Sequence, residues 1–158
     1  MNLLSGSAEK TIKLGECIGR LLEGGELLKL TGELGGGKTQ ITKGIAKGLG
    51  VVDKVVSPTF TIERIYKAHE NSSLELHHFD FYRLSNSDIE ISQGLNELIA
   101  SKNNIIVVEW PENIKDVLPS ECLRIEFEYV DDETRKISIS AKGEKYEKLL
   151  ERINDTCN

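Results

Sequence analysis

The chain has 158 residues, 39% hydrophobic and 29% charged, which fits a single folded domain over 1–158 and excludes a disordered polyelectrolyte. With 26 acidic residues against 20 basic ones the net charge is −6, so direct, non-specific nucleic-acid binding through a broad basic face is not expected. No apolar run approaches the ~18 residues of a membrane span, Met1 to Ser5 lacks the basic and apolar regions of a secretory signal, and the widely spaced Cys17, Cys122 and Cys157 read as reduced thiols of a cytoplasmic protein.

Residues 1–6 read as a loose lead-in. Ser7 can cap a helix running to about Glu23, with Leu14, Cys17, Ile18 and Leu21 as its apolar stripe and Gly24-Gly25 at its end. Gly15 and Gly19 lie four apart on that helix, where another backbone can approach closely. A short buried strand, 26–31, contains Leu27-Leu28-Lys29-Leu30, and a helix over 39–49 follows with Ile41, Ile45 and Leu49 on one face, closed by Gly48 and Gly50. Phe60 to Lys67 and Leu74 to Phe81 read as an antiparallel hairpin joined by the polar turn 69–73. Asp88 to Ala100 is a weaker helix interrupted by Gly94, and Ile105-Ile106-Val107-Val108 is the continuous run of a strand covered on both faces. Cys122 to Val130 alternates, with Leu123, Ile125, Phe127 and Tyr129 to one side; Arg135 to Ala141 completes a second hairpin across the turn 131–134. Residues 143–153 close the chain as a helix with Tyr146, Leu149, Leu150 and Ile153 inward.

Between the strand at 26–31 and the helix at 39–49 stands Gly32-Glu33-Leu34-Gly35-Gly36-Gly37-Lys38-Thr39, which satisfies G-x-x-x-x-G-K-[ST] at every constrained position. Glycines let the backbone wrap a phosphate, and the following helix adds its N-terminal donors and partial positive charge. In this pattern Gly35, Gly36, Gly37 and Lys38 hold a nucleotide triphosphate, Lys38 reaches its β- and γ-phosphates, and the Thr39 hydroxyl ligates Mg²⁺. The run 105–108 ends in Glu109, a carboxylate at a strand's C-terminal edge and the expected Mg²⁺ partner opposite Thr39. In His77-His78-Phe79-Asp80-Phe81-Tyr82-Arg83-Leu84, alternation puts His78, Asp80 and Tyr82 on one face. Asp80 either orients the attacking water or metal shell, or merely pairs with Arg83 or accepts from His78. Adjacent strand residues point opposite ways, so His77 and His78 do not suit one zinc ion, and His69 reads as a solvated turn residue. Ser57-Pro58-Thr59 is either a switch-like loop that senses the γ-phosphate or a rigid turn, since Pro58 restricts Ser57. The fold class is α/β: a P-loop NTPase-like sheet, mixed parallel and antiparallel, flanked by helices.

Taken in order, Gly32 to Thr39, Ser57 to Phe60, His78 to Leu84 and Glu109-Trp110 resemble the TsaE (YjeE) family of small ATPases in bacterial tRNA threonylcarbamoyladenosine biosynthesis, over about residues 7–130. The resemblance implies a partner-stimulated, Mg-dependent ATPase with ATP and Mg²⁺ as cofactors. It implies Asp80 as the second essential carboxylate beside Lys38 and Glu109, and Ala8 to Thr11 against the adenine. It also implies a TsaB–TsaD complex as protein partner, which ATP hydrolysis resets between turnovers. Gly36 and Gln40 depart from the family's commoner Ala and Thr; Gln40 keeps a backbone N–H for the α-phosphate but not the hydroxyl. The acidic helix from Asp88 lacks the family's Asp-Pro opening.

No water-positioning glutamine or free arginine finger is evident, and phosphate-loop proteins without such an arginine are slower by ~10³–10⁵. Arg83 and Arg135 are the candidates in cis. A small P-loop kinase is the alternative, but its arginine-rich lid is missing from 85–104; a nucleotide-gated binding module is another. GTP is disfavoured because no N-K-x-D occurs: Asn103-Asn104 runs into Ile105.

Overall fold

The computed structural model describes residues 1–69, 72–83 and 91–157. Its strands are β1 (Asn2–Ser5), β2 (Glu26–Gly32), β3 (Glu63–Lys67), β4 (Glu75–Asp80), β5 (Asn104–Glu109), β6 (Cys122–Tyr129) and β7 (Arg135–Lys142); its helices are α1 (Ala8–Gly19), α2 (Lys38–Gly48), α3 (Ile91–Ala100) and α4 (Glu144–Thr156). The strands form one seven-stranded sheet in the order β1-β7-β6-β2-β5-β4-β3. Four central strands run parallel, β6 to β2, β2 to β5 and β5 to β4. Antiparallel pairs complete the edges: β3 on β4, β7 on β6 and β1 on β7. The expected mixed sheet flanked by helices is the architecture found.

The parallel centre explains the sequence pattern. Every residue of β5 is buried, as its unbroken apolar run requires of a strand covered on both faces. Register then sets the site: Leu30 of β2 and Asp80 of β4 both pair with Glu109 of β5, so the loop after β2 and the two carboxylates meet at one C-terminal edge.

The α1–α2 pair is built on glycine. A Cβ on Gly15 would lie 2.3 Å from the Ile41 carbonyl, and one on Gly44 would lie 2.1 Å from the Ile12 carbonyl. Gly19 and Gly48 are blocked in the same way, by the Ile45 and Glu16 carbonyls. The close approach expected of Gly15 and Gly19 is therefore with α2, and Gly48 ends α2 as a packing residue while Gly50 makes the turn.

Several expectations are corrected. Residues 1–6 are not a loose lead-in: Asn2–Ser5 pairs with β7, and Met1 and Ile139 exchange backbone hydrogen bonds of 2.8 and 2.9 Å. Helix α1 ends at Gly19 instead of Glu23, and the turn bonds Leu21 N–H to Ile18 and Leu22 N–H to Gly19 tighten its exit. Strand β3 starts at Glu63, because Thr61 and Ile62 fold back to donate to the Pro58 carbonyl. Tyr129, at the end of the side of β6 that carries Leu123, Ile125 and Phe127, is exposed where they are buried. Helix α3 runs through Gly94; the expected start at Asp88, the turn residues Glu70 and Asn71, and Leu84 lie outside the described residues.

The thiols are corrected too. Cys17 of α1 and Cys157 just after α4 are joined in a disulfide with Cα atoms 5.8 Å apart, and Cys122 is a buried free thiol. A separation of 140 residues hides this pairing from spacing arguments; the packing of α4 beside α1 creates it. Among the described residues no helix is long and apolar enough to cross a membrane.

Candidate functional site

Strand β2 ends where the chain needs a sharp turn into α2, and the loop supplies left-handed positions at Gly35 (φ 76°) and Gly37 (φ 112°). A Cβ at Gly35 would stand 2.8 Å from the Tyr129 hydroxyl, which itself donates to the Leu34 carbonyl at 2.9 Å and braces the loop from β6. Gly37 occupies the N-cap of α2 and offers no side chain to cap it, so the helix start faces the cavity with its own backbone donors.

Lys38, the first residue of α2, is almost wholly buried. Its Nζ donates to the Gly32 and Glu33 carbonyls at 2.7 and 2.8 Å and sits 4.3 Å from the centre of the Trp110 ring. Burial pulls its pKa below the ordinary lysine value, against an upward pull from Glu109, Glu112 and Asp80. The ammonium is thus pre-placed over the loop, held by neutral acceptors that a phosphate would outcompete.

Glu109 is the meeting point of three elements. Its Oε1 accepts from the Thr39 hydroxyl at 3.0 Å and from His78 Nε2 at 2.8 Å. An ionised carboxylate only accepts, so the hydrogen of this contact sits on Nε2 of His78, which is completely buried and whose Nδ1 has no partner among the described residues. Leaving Nδ1 unsatisfied costs about 1–3 kcal/mol.

Asp80 does neither of the bland things proposed for it. His78 turns to Glu109 instead, and the Arg83 guanidinium lies 4.4 Å over the Phe60 ring. Asp80 Oδ1 accepts the Tyr82 N–H at 2.9 Å, while Oδ2 accepts the Thr59 hydroxyl and, at 3.4 Å, that of Ser57. The Ser57-Pro58-Thr59 loop is therefore tied to a site carboxylate, with the Ser57 and Thr59 hydroxyls 2.6 Å apart.

Two cavities share the loop. One, of about 200 Å³, is lined by the loop together with Thr39, Thr59, Asp80, Glu109 and Trp110. The other, of about 400 Å³, continues past Gly35, Gly36, Gly37 and Gln40 to Ala8 and Thr11 at the start of α1, and to Arg135. Thr11 is fixed there by a 2.8 Å hydrogen bond shared with Ser5, a β1 residue. Arg135 belongs to this second cavity: its Nη1 donates to the Asp131, Asp132 and Thr134 carbonyls and its guanidinium covers Tyr129. Among the described residues neither Arg83 nor Arg135 lines the cavity that holds the carboxylates.

The oxygen donors Thr39, Asp80 and Glu109 are hard ligands, of the type that Mg²⁺ takes. Mg²⁺ draws most of its ligands from phosphates and water, so a few protein oxygens suffice for it. Sequence reasoning missed the His78 contact, the Tyr129 brace and the Trp110 platform under Lys38. Only Trp110 left a signal, through its place after Glu109.

The comparisons with known proteins bear on the family of the chain. Residues 5–137 match the family model described as threonylcarbamoyl adenosine biosynthesis protein TsaE. The chain is similar to the tRNA threonylcarbamoyladenosine biosynthesis protein TsaE of Bacillus subtilis, with 36% identity over 92% of this chain and 89% of that one. It is similar to the protein of the same description from Treponema pallidum, with 35% identity over 89% of this chain and all (100%) of that one. Among solved structures, the crystal structure of Bacillus subtilis YdiB superposes with a TM-score of 0.83 and 32% identity, covering 98% of this chain and 94% of that one.

Proposed function

The chain belongs to the TsaE family of threonylcarbamoyl adenosine biosynthesis proteins, and from that premise we propose that it is a Mg-dependent ATPase of the cytoplasm, slow alone and stimulated by a TsaB–TsaD complex. The observation that carries the reading is the Thr39 hydroxyl 3.0 Å from Glu109 Oε1, at the end of a glycine loop whose lysine is parked on the loop's own carbonyls.

Each residue has a derivable task. Backbone N–H groups of Gly35 to Gln40 bind the phosphate chain, with Lys38 supplying charge to the β- and γ-phosphates. Ala8 and Thr11 line the adjoining cavity, which suits the adenine. Thr39 and Glu109 would hold Mg²⁺, which when bound neutralises charge on the β- and γ-phosphate oxygens. Asp80 is the carboxylate that orients the attacking water, and the Ser57 and Thr59 hydroxyls that bond it let the 57–59 loop respond to the γ-phosphate. Arg83 and Arg135 are engaged with Phe60 and with the 131–134 turn, and no arginine among the described residues lines the carboxylate cavity, which supports slow intrinsic turnover and a partner requirement.

The test is single-turnover hydrolysis of ATP with and without the TsaB–TsaD pair. Stimulation of tenfold or more is expected, with Glu109→Ala binding nucleotide but failing in Mg-dependent hydrolysis. Equal rates with and without the pair, or normal magnesium dependence in Glu109→Ala, would refute the assignment.

A further inference from the structure

We infer that His78 is a positioning residue for Glu109: its buried imidazole fixes the carboxylate so that one oxygen is spent on protein hydrogen bonds and the other is presented for the metal of a metal–nucleotide complex. The inference rests on the reading of Glu109 as a Mg²⁺ ligand. Glu109 Oε1 accepts two hydrogen bonds, from Thr39 and from His78 Nε2, at 3.0 and 2.8 Å. Both of these bonds fall on Oε1 and neither on Oε2. A glutamate's last torsion is broad and nearly two-fold, so a lone carboxylate at a strand end would not hold one oxygen toward the cavity. Two donors on Oε1 from different elements, α2 and β4, remove that freedom. The parallel register supplies the reach: His78 pairs with Val107 and Asp80 with Glu109, so His78 lies one step deeper on the β4 face that also carries Asp80.

The ring's other nitrogen argues for the role. Nδ1 is buried with no partner among the described residues, and an apolar side chain at this buried position would carry no unsatisfied atom of its own. What an apolar residue cannot provide is the N–H on Glu109. Residues that orient a metal-binding carboxylate from behind typically cost 10–100-fold in metal affinity when removed.

The experiment uses the full chain with Mn²⁺ and ADP as probes, followed by electron paramagnetic resonance, with ADP affinity also measured in EDTA. In His78→Gln the amide nitrogen reaches the place of Nε2; in His78→Asn it stops at the place of Nδ1. The expected result is a 10–100-fold weaker Mn²⁺ affinity in the Asn variant, metal-free ADP affinity unchanged, and recovery to about threefold of wild type in the Gln variant. An Asn variant that holds Mn²⁺ as tightly as wild type overturns the inference, as does a Gln variant that melts like wild type yet loses metal as badly as Asn. Should the Asn variant fail to fold, wild-type chain labelled with ¹⁵N in its three imidazoles decides. Mg·ADP then shifts the buried His78 Nε2–H signal beyond the shift from ADP alone, and an equal shift overturns the inference. A wild type in which Mn²⁺ does not bind with ADP would defeat the ATPase reading itself, a result distinct from any difference among the variants.

Discussion

The Lys38 ammonium is shared between its own loop carbonyls and the face of Trp110, and each contact yields a measurable consequence. A phosphate replaces neutral acceptors with charged ones, and hydrogen bonds to charged groups contribute about 1.5–3 kcal/mol each. Lys38→Ala should therefore weaken ATP binding on the order of a hundredfold by calorimetry; undiminished affinity would mean that the loop does not seat a triphosphate. Trp110 is the only tryptophan in the chain, so tryptophan emission reports on the surroundings of one ring, which the Lys38 ammonium and the Tyr82 ring share. Saturation with ATP should draw the ammonium away and change that emission, with no response in Trp110→Phe. Constant emission at a nucleotide concentration shown to saturate would contradict the movement of Lys38. The candidate site was legible in the sequence as far as its chemistry is local. Lys38 and Thr39 follow from loop spacing and Glu109 from a strand that ends in an acid, whereas Asp80 rests on alternation and on the family resemblance. The Glu109–His78 and Asp80–Thr59 pairs were not legible, because they depend on the β4–β5 register and on how the 57–61 turn folds back.

Among the elements, α1 and α2 depend most directly on side chains that are absent. Their glycines face each other's carbonyls, and this contact also carries the start of α1, with Ala8 and Thr11, to the loop that precedes α2. By helix propensity alone Gly→Ala gains up to about 1 kcal/mol. At Gly44 the new Cβ would fall 2.1 Å from the Ile12 carbonyl, so the helices must part, at a cost of about 1–3 kcal/mol. Gly94 in α3 has no atom of the described residues within 4 Å of such a Cβ. Urea denaturation should thus show Gly44→Ala destabilised by about 1–2 kcal/mol net and Gly94→Ala stabilised by about 0.5–1 kcal/mol; a stabilised Gly44→Ala would mean that α1 and α2 do not pack through glycine. Elements with their own pattern were legible: β5 by its unbroken apolar run, β6 and β7 by alternation, α4 by its stripe. Strand β1 was not, because four residues carry no period of their own and their partner strand lies more than a hundred residues away. Nor was the start of β3, where Ile62 adopts a left-handed backbone (φ 68°) against its β-branched preference.

For the whole molecule, the sheet order places the first and last strands side by side, and the Cys17–Cys157 bond closes the same join covalently. It ties the end of α4 to the helix whose start lines the larger cavity, with an ion pair between Arg152 and Glu23 at 2.9 Å nearby. A cross-link that spans 140 residues closes a loop containing nearly the entire chain, and a loop of that size restricts the unfolded ensemble most. The native contacts beside it are modest: both cysteines are only partly buried, whereas α4 buries its own stripe of Tyr146, Leu149 and Ile153. Reduction should therefore leave the fold intact while lowering its stability by about 2–5 kcal/mol, a fall in melting temperature on the order of 10 °C for a chain of this size. Cys17→Ser should reproduce the shift, and a reductant should then have no further effect on that variant. Cys122 serves as the control, since it is buried and free: Cys122→Ala should leave the sensitivity to reductant unchanged. If the oxidised and reduced wild-type chains melt together, the bond contributes nothing, and the termini are held by the β1–β7 pairing and the helix stripe alone.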